Sequence, residues 1–173
     1  MSLFSVDIEA DGPEPIDYNM VQIGVVLIDK GEKLDKTFYG ELKPKSGSNY
    51  STDALKSFGV TRNETLSYPH PEICMADLSK WLYKNNEDGR IMMLSDNAGF
   101  DWMFVCAYFH HFTSSNPFGF SCTSLTSLYK GFMKNKKANF KRLRKTKHTH
   151  NPVDDAMGNA EAYLEIMKQG YKG

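Results

Sequence analysis

The sequence predicts an α/β fold in which a mixed, five-stranded sheet is flanked by helices. Three segments near the start of the chain have strand patterns and are joined by short connections. Later segments alternate helical periodicity with two short apolar runs. This order of elements favours an antiparallel meander of three strands, extended by two further strands and covered by helices.

The first strand is predicted over residues 3–10, where two sets of side chains alternate along the chain. One side carries Phe4, Val6, Ile8 and Ala10, and the other carries Leu3, Ser5, Asp7 and Glu9. A proline-containing segment at residues 11–15 ends this strand, and the β-branched run at residues 20–28 predicts the second. A turn at Asp29-Lys30-Gly31 then leads to a third strand over residues 36–42.

The second half of the chain predicts helices and the last two strands. The helical pattern is clearest over residues 71–84, and an apolar strand follows at residues 91–94. Residues 99–112 indicate a helix that is apolar nearly all round, and residues 118–122 indicate a fifth strand. Asn151-Pro152 is an N-cap followed by proline at the first helical position, which predicts a final helix to about residue 168.

Length and composition exclude several classes of protein. A chain of 173 residues with 40% hydrophobic residues suits one compact domain, so residues 1–173 are expected to form a single domain. Cys74, Cys106 and Cys122 are odd in number and form no CxxC pair, which indicates neither a disulfide framework nor a zinc knuckle. The sequence shows no signal-peptide pattern and no run that approaches a membrane span. We therefore expect an intracellular, cytoplasmic protein.

Charge is balanced overall but is distributed unevenly. The chain has 21 basic and 21 acidic residues, so net charge alone gives no indication of a polyanionic partner. Residues 102–153 contain no acidic residue, and the second half of that segment is rich in lysine and arginine. The basic residues are Lys130, Lys134, Lys136, Lys137, Lys141, Arg142, Arg144, Lys145 and Lys147. This segment suits a track for phosphates, although a solvated helix or loop face would have the same composition.

Three acidic residues are the first candidates for a metal site. Asp7 and Glu9 lie two apart on a strand, so both point the same way and can share a cation. Because exposed acids are the norm, the pair alone is equally explained by a solvent-facing strand. Asp101 lies in a strongly apolar helix, where a buried carboxylate is costly unless it is paired or binds a metal. Its alternative role is to favour the helix dipole near a helix start.

The last helix offers two acids in its first turn, where negative charge is favoured for structural reasons. Helical periodicity separates them. Asp154 aligns with Glu161 and Glu165 on a polar stripe, whereas Asp155 aligns with Asn159 on a partly buried stripe. Asp155 is therefore the better candidate for an inward-facing ligand.

His150 lies just before that helix and is a candidate proton acceptor. An imidazole titrates near neutral pH and so can take a proton from water. His148 and His150 also match a zinc-binding H-x-H pair, as found in barrel metallohydrolases. That barrel typically needs about 250 residues, and this chain is too short for it.

The candidate residues occur in an order that resembles the three motifs of the DEDDh exonucleases. The motifs are Asp7-Ile8-Glu9, then Asp101 within Asn97-Ala98-Gly99-Phe100-Asp101, then His150 with Asp155 five positions later. The resemblance spans nearly the whole chain and implies a ribonuclease H-like fold. The segments around Asp101 and His150 are similar to those of the ribonuclease T-like 3′–5′ exoribonucleases. The chain departs from this pattern at two places. Many members carry Thr or Ser where this chain has Ala10, and the segment from His150 to Asp155 lacks the usual His-Ala-Leu motif. Both departures bear on contacts to the terminal nucleotide.

The resemblance implies a catalytic set of Asp7, Glu9, Asp101, His150 and Asp155. Asp7, Glu9 and Asp155 would hold one divalent ion, and Asp7 and Asp101 a second about 4 Å away, as in two-metal hydrolysis. Oxygen ligands favour Mg²⁺ or Mn²⁺, and His150 would accept the proton of the attacking water. The expected substrate is the 3′ end of single-stranded RNA, cut to nucleoside 5′-monophosphates, and members of this group are often homodimers. The alternatives are the same reaction on single-stranded DNA and a catalytically silent nucleic-acid-binding module.

Further residues are expected to contact the substrate. Phe100, Trp102 and Phe104 bracket Asp101, and an aromatic ring there could stack on the terminal base. In so apolar a helix, most of these rings are expected to belong to the core. Met20 is expected, by resemblance alone, to wedge against the same base. The remaining expected contacts, Arg144 and Lys147, lie in the basic segment.

Overall fold

The computed structural model describes residues 2–28, 33–87 and 89–172. The strands are β1 (Ser2–Ala10), β2 (Met20–Ile28), β3 (Thr37–Glu41), β4 (Ile91–Ser95) and β5 (Cys122–Ser124). The α-helices are α1 (Thr52–Ser57), α2 (Arg62–Leu66), α3 (Pro71–Asn85), α4 (Ala98–Phe112), α5 (Leu125–Phe132) and α6 (Pro152–Lys168), and a 3₁₀ helix lies at Phe140–Leu143. The turn predicted at Asp29-Lys30-Gly31 lies outside the described residues.

The five strands form one mixed sheet in the order β3-β2-β1-β4-β5. β1 pairs with β2 and β2 with β3 in antiparallel register, which is the predicted meander. β1 also pairs with β4, and β4 with β5, in parallel register. The predicted fold class is confirmed. Because β1, β4 and β5 run in the same direction, their carboxyl ends meet at one edge of the sheet.

Helices cover both faces of the sheet. On one face, the side chains of Phe4, Val6 and Ile8 pack in a core with α3 and α4. On the other face, Val26 packs in a second core with α5 and α6. β2 is buried along its whole length because both of its faces are covered. No helix among the described residues is both long and apolar enough to cross a lipid bilayer.

A glycine in β2 lets α6 lie directly on the sheet. Gly24 is the β2 residue paired with Asp7 of β1. A Cβ atom at this position would overlap the backbone of Pro152 and Val153, which form the start of α6. The absence of a side chain at Gly24 therefore allows the first turn of α6 to approach the middle of β1.

The fifth strand lies later in the chain than predicted. Residues 118–122 were expected to form it, but β5 is Cys122–Ser124 and residues 117–120 form a turn. The turn is closed by the Asn116 Oδ1 atom, which accepts the Phe118 backbone N–H at 3.0 Å, and by Gly119, whose φ is +73°. The Phe118 ring is buried in the core from this turn. Its apolar side chain is what made the segment resemble a strand in the sequence.

Candidate active site

Three elements bring four carboxylates together near the carboxyl end of β1, the central strand of the sheet. β1 supplies Asp7 and Glu9, and α6 supplies Asp155, and ligand oxygens of these three residues all lie within 4.8 Å of one another. Asp101 of α4 joins them, because its Oδ1 atom accepts a hydrogen bond from the Ile8 backbone N–H at 3.3 Å. Ile8 lies between Asp7 and Glu9, so the fourth carboxylate is beside the other three. The structure thus brings together the four acids that the sequence singled out.

Asp101 is held in place from the end of β4. It lies in the first turn of α4, is 4% exposed, and its backbone N–H donates to the Asn97 carbonyl at 3.1 Å. The Ser95 hydroxyl, at the end of β4, donates a hydrogen bond to Asp101 Oδ2. Ser95 was not among the predicted site residues. The feature that could have identified Ser95 in the sequence is its position at the end of the strand that leads directly into the helix carrying Asp101.

Asp155 is buried, at 1% exposure, and its carboxylate is contacted from three sides. Its Oδ1 atom accepts a hydrogen bond from Arg144 Nη2 at 2.7 Å and lies 2.7 Å from His148 Nδ1. Its Oδ2 atom accepts the His150 backbone N–H at 3.1 Å. Asp154 is directed elsewhere and accepts a hydrogen bond from the Thr149 hydroxyl at 2.8 Å. The orientation of the Asp155 carboxylate is therefore fixed by neighbouring groups.

Arg144 is a buried cation next to the acids. Its side chain is 6% exposed and also donates to the Asp155 backbone carbonyl at 3.2 Å. The guanidinium lies against Gly158 of α6, where a Cβ atom would overlap it. The phosphate contact expected for Arg144 stays a prediction, because the contact that the structure shows is with Asp155.

The two histidines before α6 face different carboxylates. The His150 ring is 42% exposed and its Nδ1 atom lies 3.8 Å from Glu9 Oε1, whereas His148 Nδ1 faces Asp155. The rings are 4.3 Å apart, and His150 has a φ of +59°, a region that non-glycine residues rarely adopt. Among the described residues, the side chains placed to share a metal ion are Asp7, Glu9 and Asp155, and neither histidine is among them, which does not support an H-x-H zinc pair.

Burial, with repulsion from neighbouring carboxylates, raises the pKa values of Asp7, Glu9 and Asp101. Burial, followed by the charges of Asp101, Asp155 and Glu9, raises the pKa of Asp7 well above its ordinary range, and Arg144 opposes the shift. Burial and the charges of Asp155 and Asp101 raise the pKa of Glu9 to about 8. Burial raises the pKa of Asp101 to about 7. A cluster of oxygen donors whose negative charges repel one another fits a hard divalent cation such as Mg²⁺ or Mn²⁺.

The comparison with known families agrees with this site. The model of the 3′-5′ exoribonuclease Rv2179c-like domain matches residues 2–167. The chain belongs to this family. Escherichia coli 3′-5′ DNA exonuclease Cap18 is a relative with 31% identity over 129 residues, which cover 73% of this chain and 67% of Cap18.

Solved structures of DEDDh exonucleases share the fold of this Rv2179c-like domain. The nuclease domain of 3′hExo, a DEDDh family member bound to rAMP, has a TM-score of 0.81 at 15% identity and covers 98% of this chain and 92% of its own. E. coli Exonuclease I in complex with a dA16 oligonucleotide has a TM-score of 0.73 at 14% identity, over 97% of this chain and 41% of its own. The ribonuclease H-like fold and the DEDDh resemblance are confirmed. The chain is a metal-dependent 3′–5′ exonuclease.

A further buried acid of this exonuclease, Asp11, has a structural role that the sequence did not indicate. Asp11 follows Glu9 at the same spacing of two, but the β1–β2 register shifts between Glu9 and Ala10. Asp11 is fully buried and pairs with Arg62 at 2.7 Å. It also accepts hydrogen bonds from the backbone and the side chain of Asn19. These partners tie the loop after β1 to α2.

The residues predicted to contact substrate differ in how far they are buried. Phe100 and Trp102 are partly buried and pack against the main core, and Lys147 is exposed, so their contacts with substrate stay predictions. Met20 is 0% exposed, and its backbone N–H donates to the Tyr108 hydroxyl at 3.0 Å. The Met20 side chain therefore offers no surface to a base in this structure, because it packs in the core.

Proposed function

We propose that this exonuclease removes nucleotides one at a time from the 3′ end of single-stranded RNA, or of an RNA 3′ overhang, and releases nucleoside 5′-monophosphates. The observation that carries the proposal is the cluster of Asp7, Glu9 and Asp155 oxygens within 4.8 Å, with Asp101 hydrogen-bonded to the same strand. The family description, an exoribonuclease domain, supports RNA as the substrate.

The four acids would hold two divalent cations, Mg²⁺ or Mn²⁺. In this proposal Asp7, Glu9 and Asp155 hold one ion, and Asp7 with Asp101 holds the other. Bound there, such ions would neutralise charge on the scissile phosphate and lower the pKa of a nearby water. The hydrogen bonds from Arg144 and His148 keep the Asp155 carboxylate in one orientation towards the cluster.

His150 would act as the general base. Its Nδ1 atom faces Glu9, so Nε2 is the ring nitrogen left to take the proton of the attacking water. The water oxygen forms a bond to phosphorus, and the bond from phosphorus to the 3′ oxygen of the preceding nucleotide breaks. That 3′ oxygen takes up a proton from solvent, and the Glu9 carboxylate stabilises the imidazolium that results.

A 5′-labelled single-stranded RNA, incubated with Mg²⁺ or Mn²⁺, tests this proposal. We expect a ladder of products shortened from the 3′ end, and we expect Asp7→Asn to reduce the rate by at least about 100-fold. Asp154→Asn is the matched control, because Asp154 is a neighbouring acid that faces Thr149 rather than the cluster. Absence of metal-dependent shortening, or full activity in Asp7→Asn, would overturn the proposal.

A second candidate is the same reaction on single-stranded DNA. It is favoured by the 31% identity with a protein named a DNA exonuclease. A DNA of the same sequence and label, measured beside the RNA, separates the two candidates. A higher kcat/KM on DNA would assign the enzyme to DNA and leave the metal-site roles unchanged. The silent binding module is disfavoured, since all five residues of the catalytic set are present.

We also propose that the enzyme is a homodimer, which the family resemblance supports, and that it is cytoplasmic, which its unpaired cysteines support. One chain has a mass of 19.7 kDa. Light scattering should give about twice that value at micromolar concentration. A mass near that of one chain would contradict the dimer.

A further inference from the structure

A cavity of about 570 Å³ opens at the carboxyl ends of β4 and β5, and none of the four acids lines it. Its walls include Asp96 and Asn97, which connect β4 to α4, and Ser124, which ends β5 and caps α5. The basic segment supplies the rest, including residues of α5 and residues 136–141. The cavity therefore occupies the edge of the sheet where the parallel strands end.

The cavity and the acids are connected by the same short segment of chain. Asn97 lines the cavity, and its carbonyl accepts the backbone N–H of Asp101 at 3.1 Å. β5 lies two strand spacings from β1, which is about 10 Å. Glu9, near the carboxyl end of β1, is at the same edge as Ser124. A nucleic acid with its 3′ end at the acids can cross this distance within a few nucleotides.

The lining of the cavity is strongly positive. Lys130, Lys136, Lys137 and Lys141 line it, and Asp96 is the single acid among the lining residues. Two other lining residues contact Asp96: it accepts a hydrogen bond from the Thr126 hydroxyl at 2.6 Å, and Lys141 Nζ lies 3.6 Å away. Within the described part of the chain, Lys130, Lys136 and Lys137 form no ion pair. Their charge is available to an anion.

Two helix starts add to the positive potential. α4 begins at Ala98, and the side chain of its N-cap, Asn97, makes no capping hydrogen bond. α5 begins at Leu125, after Ser124. The positive ends of both helix dipoles therefore lie at the cavity wall, where they favour negative charge. The hydroxyl and amide groups of the lining favour a polar ligand over an apolar one.

We propose that this lysine cavity binds backbone phosphates of the nucleotides that precede the scissile bond. The inference rests on the proposed function and adds a second contact area to it, outside the metal centre. Several cations in one cavity match a chain of phosphodiester anions, which carries one charge per nucleotide. A free phosphate or mononucleotide has the same anionic chemistry, so the test must separate these sources.

The test compares a long substrate with a minimal one. The double variant Lys136→Gln/Lys137→Gln removes two exposed cavity lysines, and Lys80→Gln/Lys84→Gln removes two exposed lysines of α3 as the matched control. The substrates are oligonucleotides of increasing length and the p-nitrophenyl ester of thymidine 5′-monophosphate, which has no preceding phosphate. We expect the ratio of kcat/KM on the long oligonucleotide to that on the ester to fall about tenfold in the cavity variant, mainly through KM. The salt dependence of KM should weaken by about one in log–log slope for each lysine removed.

Each outcome has a separate meaning. An unchanged ratio in the cavity variant, with an active wild-type enzyme, overturns the cavity proposal and leaves the exonuclease intact. An equal fall on both substrates also overturns it, because the lysines would then affect the metal centre or the fold. Stronger inhibition of the wild type than of the cavity variant by inorganic phosphate or AMP, with no effect of oligonucleotide length, would assign the cavity to a free phosphate. A wild-type enzyme inactive on every substrate would instead contradict the proposed function.

Discussion

At the scale of single residues, Arg144 provides the positive charge that the acidic cluster needs in the absence of metal. It is buried, lies 2.7 Å from Asp155 Oδ1, and lowers the pKa of Asp7 against the effect of burial. Removing one partner of a buried ion pair costs about 3–5 kcal/mol. We expect Arg144→Met to lower the melting temperature in EDTA and to gain more stability from Mn²⁺ than the wild type does. Circular dichroism melts with EDTA and with Mn²⁺ measure both effects.

Arg142→Met is the control for that experiment. Arg142 lies two residues earlier, is exposed, and donates to the Tyr129 hydroxyl at 3.0 Å, away from the acids. It should have a much smaller effect on stability and none on the gain from Mn²⁺. Equal losses in the two variants, or an unchanged gain from Mn²⁺ in Arg144→Met, would show that Arg144 does not compensate the cluster.

The raised pKa values predict how the metal-free protein responds to pH. Burial and neighbouring acids raise the pKa of Glu9 from 4.5 to about 8 in the folded chain, so folded Glu9 holds a proton that unfolded Glu9 has released. The free energy of unfolding should therefore fall as pH rises from about 4.5 to about 8. Urea unfolding in EDTA across this range measures it. Saturating Mn²⁺ should reduce the fall, because a cation stabilises the ionised carboxylates.

Glu9→Gln supplies the comparison for the pH experiment. An amide does not titrate, so the variant should lose less stability across the same range. A stability profile that rises with pH in EDTA, or one that is identical in the variant, would contradict the assignment of the effect to Glu9.

The acids of the site were predictable from periodicity, whereas the groups that hold them were not. A period of two placed Asp7 with Glu9 on one face, and helical phase separated Asp155 from Asp154. Arg144 and His148 lie in an irregular segment after the 3₁₀ helix, which has no period to read. Tertiary contacts with α6 determine where those two side chains lie, so local pattern did not predict their contact with Asp155.

At the scale of elements, the approach of α6 to the sheet brings Asp155 to Asp7. Gly24, paired with Asp7, makes this approach possible, and the atoms that a Cβ would meet are backbone atoms of α6, which cannot rotate away. We expect Gly24→Ala to lower stability by about 1–3 kcal/mol, as overpacking does. We also expect it to weaken Mn²⁺ binding, measured by calorimetry, because Asp155 moves away from the cluster.

Gly131→Ala is the control for the backbone change. Gly131 lies in α5, and nothing is within 4 Å of where its Cβ would be. Alanine in a helix is more stable than glycine by about 0.5–1 kcal/mol, so this variant should be neutral or stabilised. Unaltered Mn²⁺ affinity in Gly24→Ala would mean that the position of α6 does not control the metal site.

The long elements were predictable, as were the five-residue strands β3 and β4, whereas α1, α2 and β5 were not, for a physical reason. β1, β2, α3, α4 and α6 each extend over at least nine residues, enough to show a period of two or 3.6. α1 and α2 have six and five residues, and their starts are fixed by side-chain caps at Ser51 and Thr61. β5 has three residues. Such short elements are stabilised by caps and by the surrounding fold, so their sequence carries little periodic signal.

At the scale of the whole molecule, zero net charge conceals a division of charge. Residues 102–153 carry nine basic and no acidic side chains, so the rest of the chain carries nine more acidic than basic ones. Some of these acids and some of these lysines lie near the carboxyl ends of the parallel strands, with the acids in the cluster and the lysines in the cavity. The lysines of the cavity therefore attract a polyanion, whereas the acids of the cluster repel it unless divalent cations are bound there.

This division predicts that binding of substrate, but not folding, depends strongly on salt. If about four phosphates contact the basic segment, the log–log slope of affinity against salt should be about −3, or a loss of about 50-fold from 50 to 200 mM. Fluorescence anisotropy of a labelled oligonucleotide in EDTA, where hydrolysis does not occur, measures the slope. Urea unfolding at the same salt concentrations is the control and should change little, because exposed charges contribute little to stability. A slope near zero would mean that the basic segment does not contact the phosphates, and the track from the lysine cavity to the acids would be wrong.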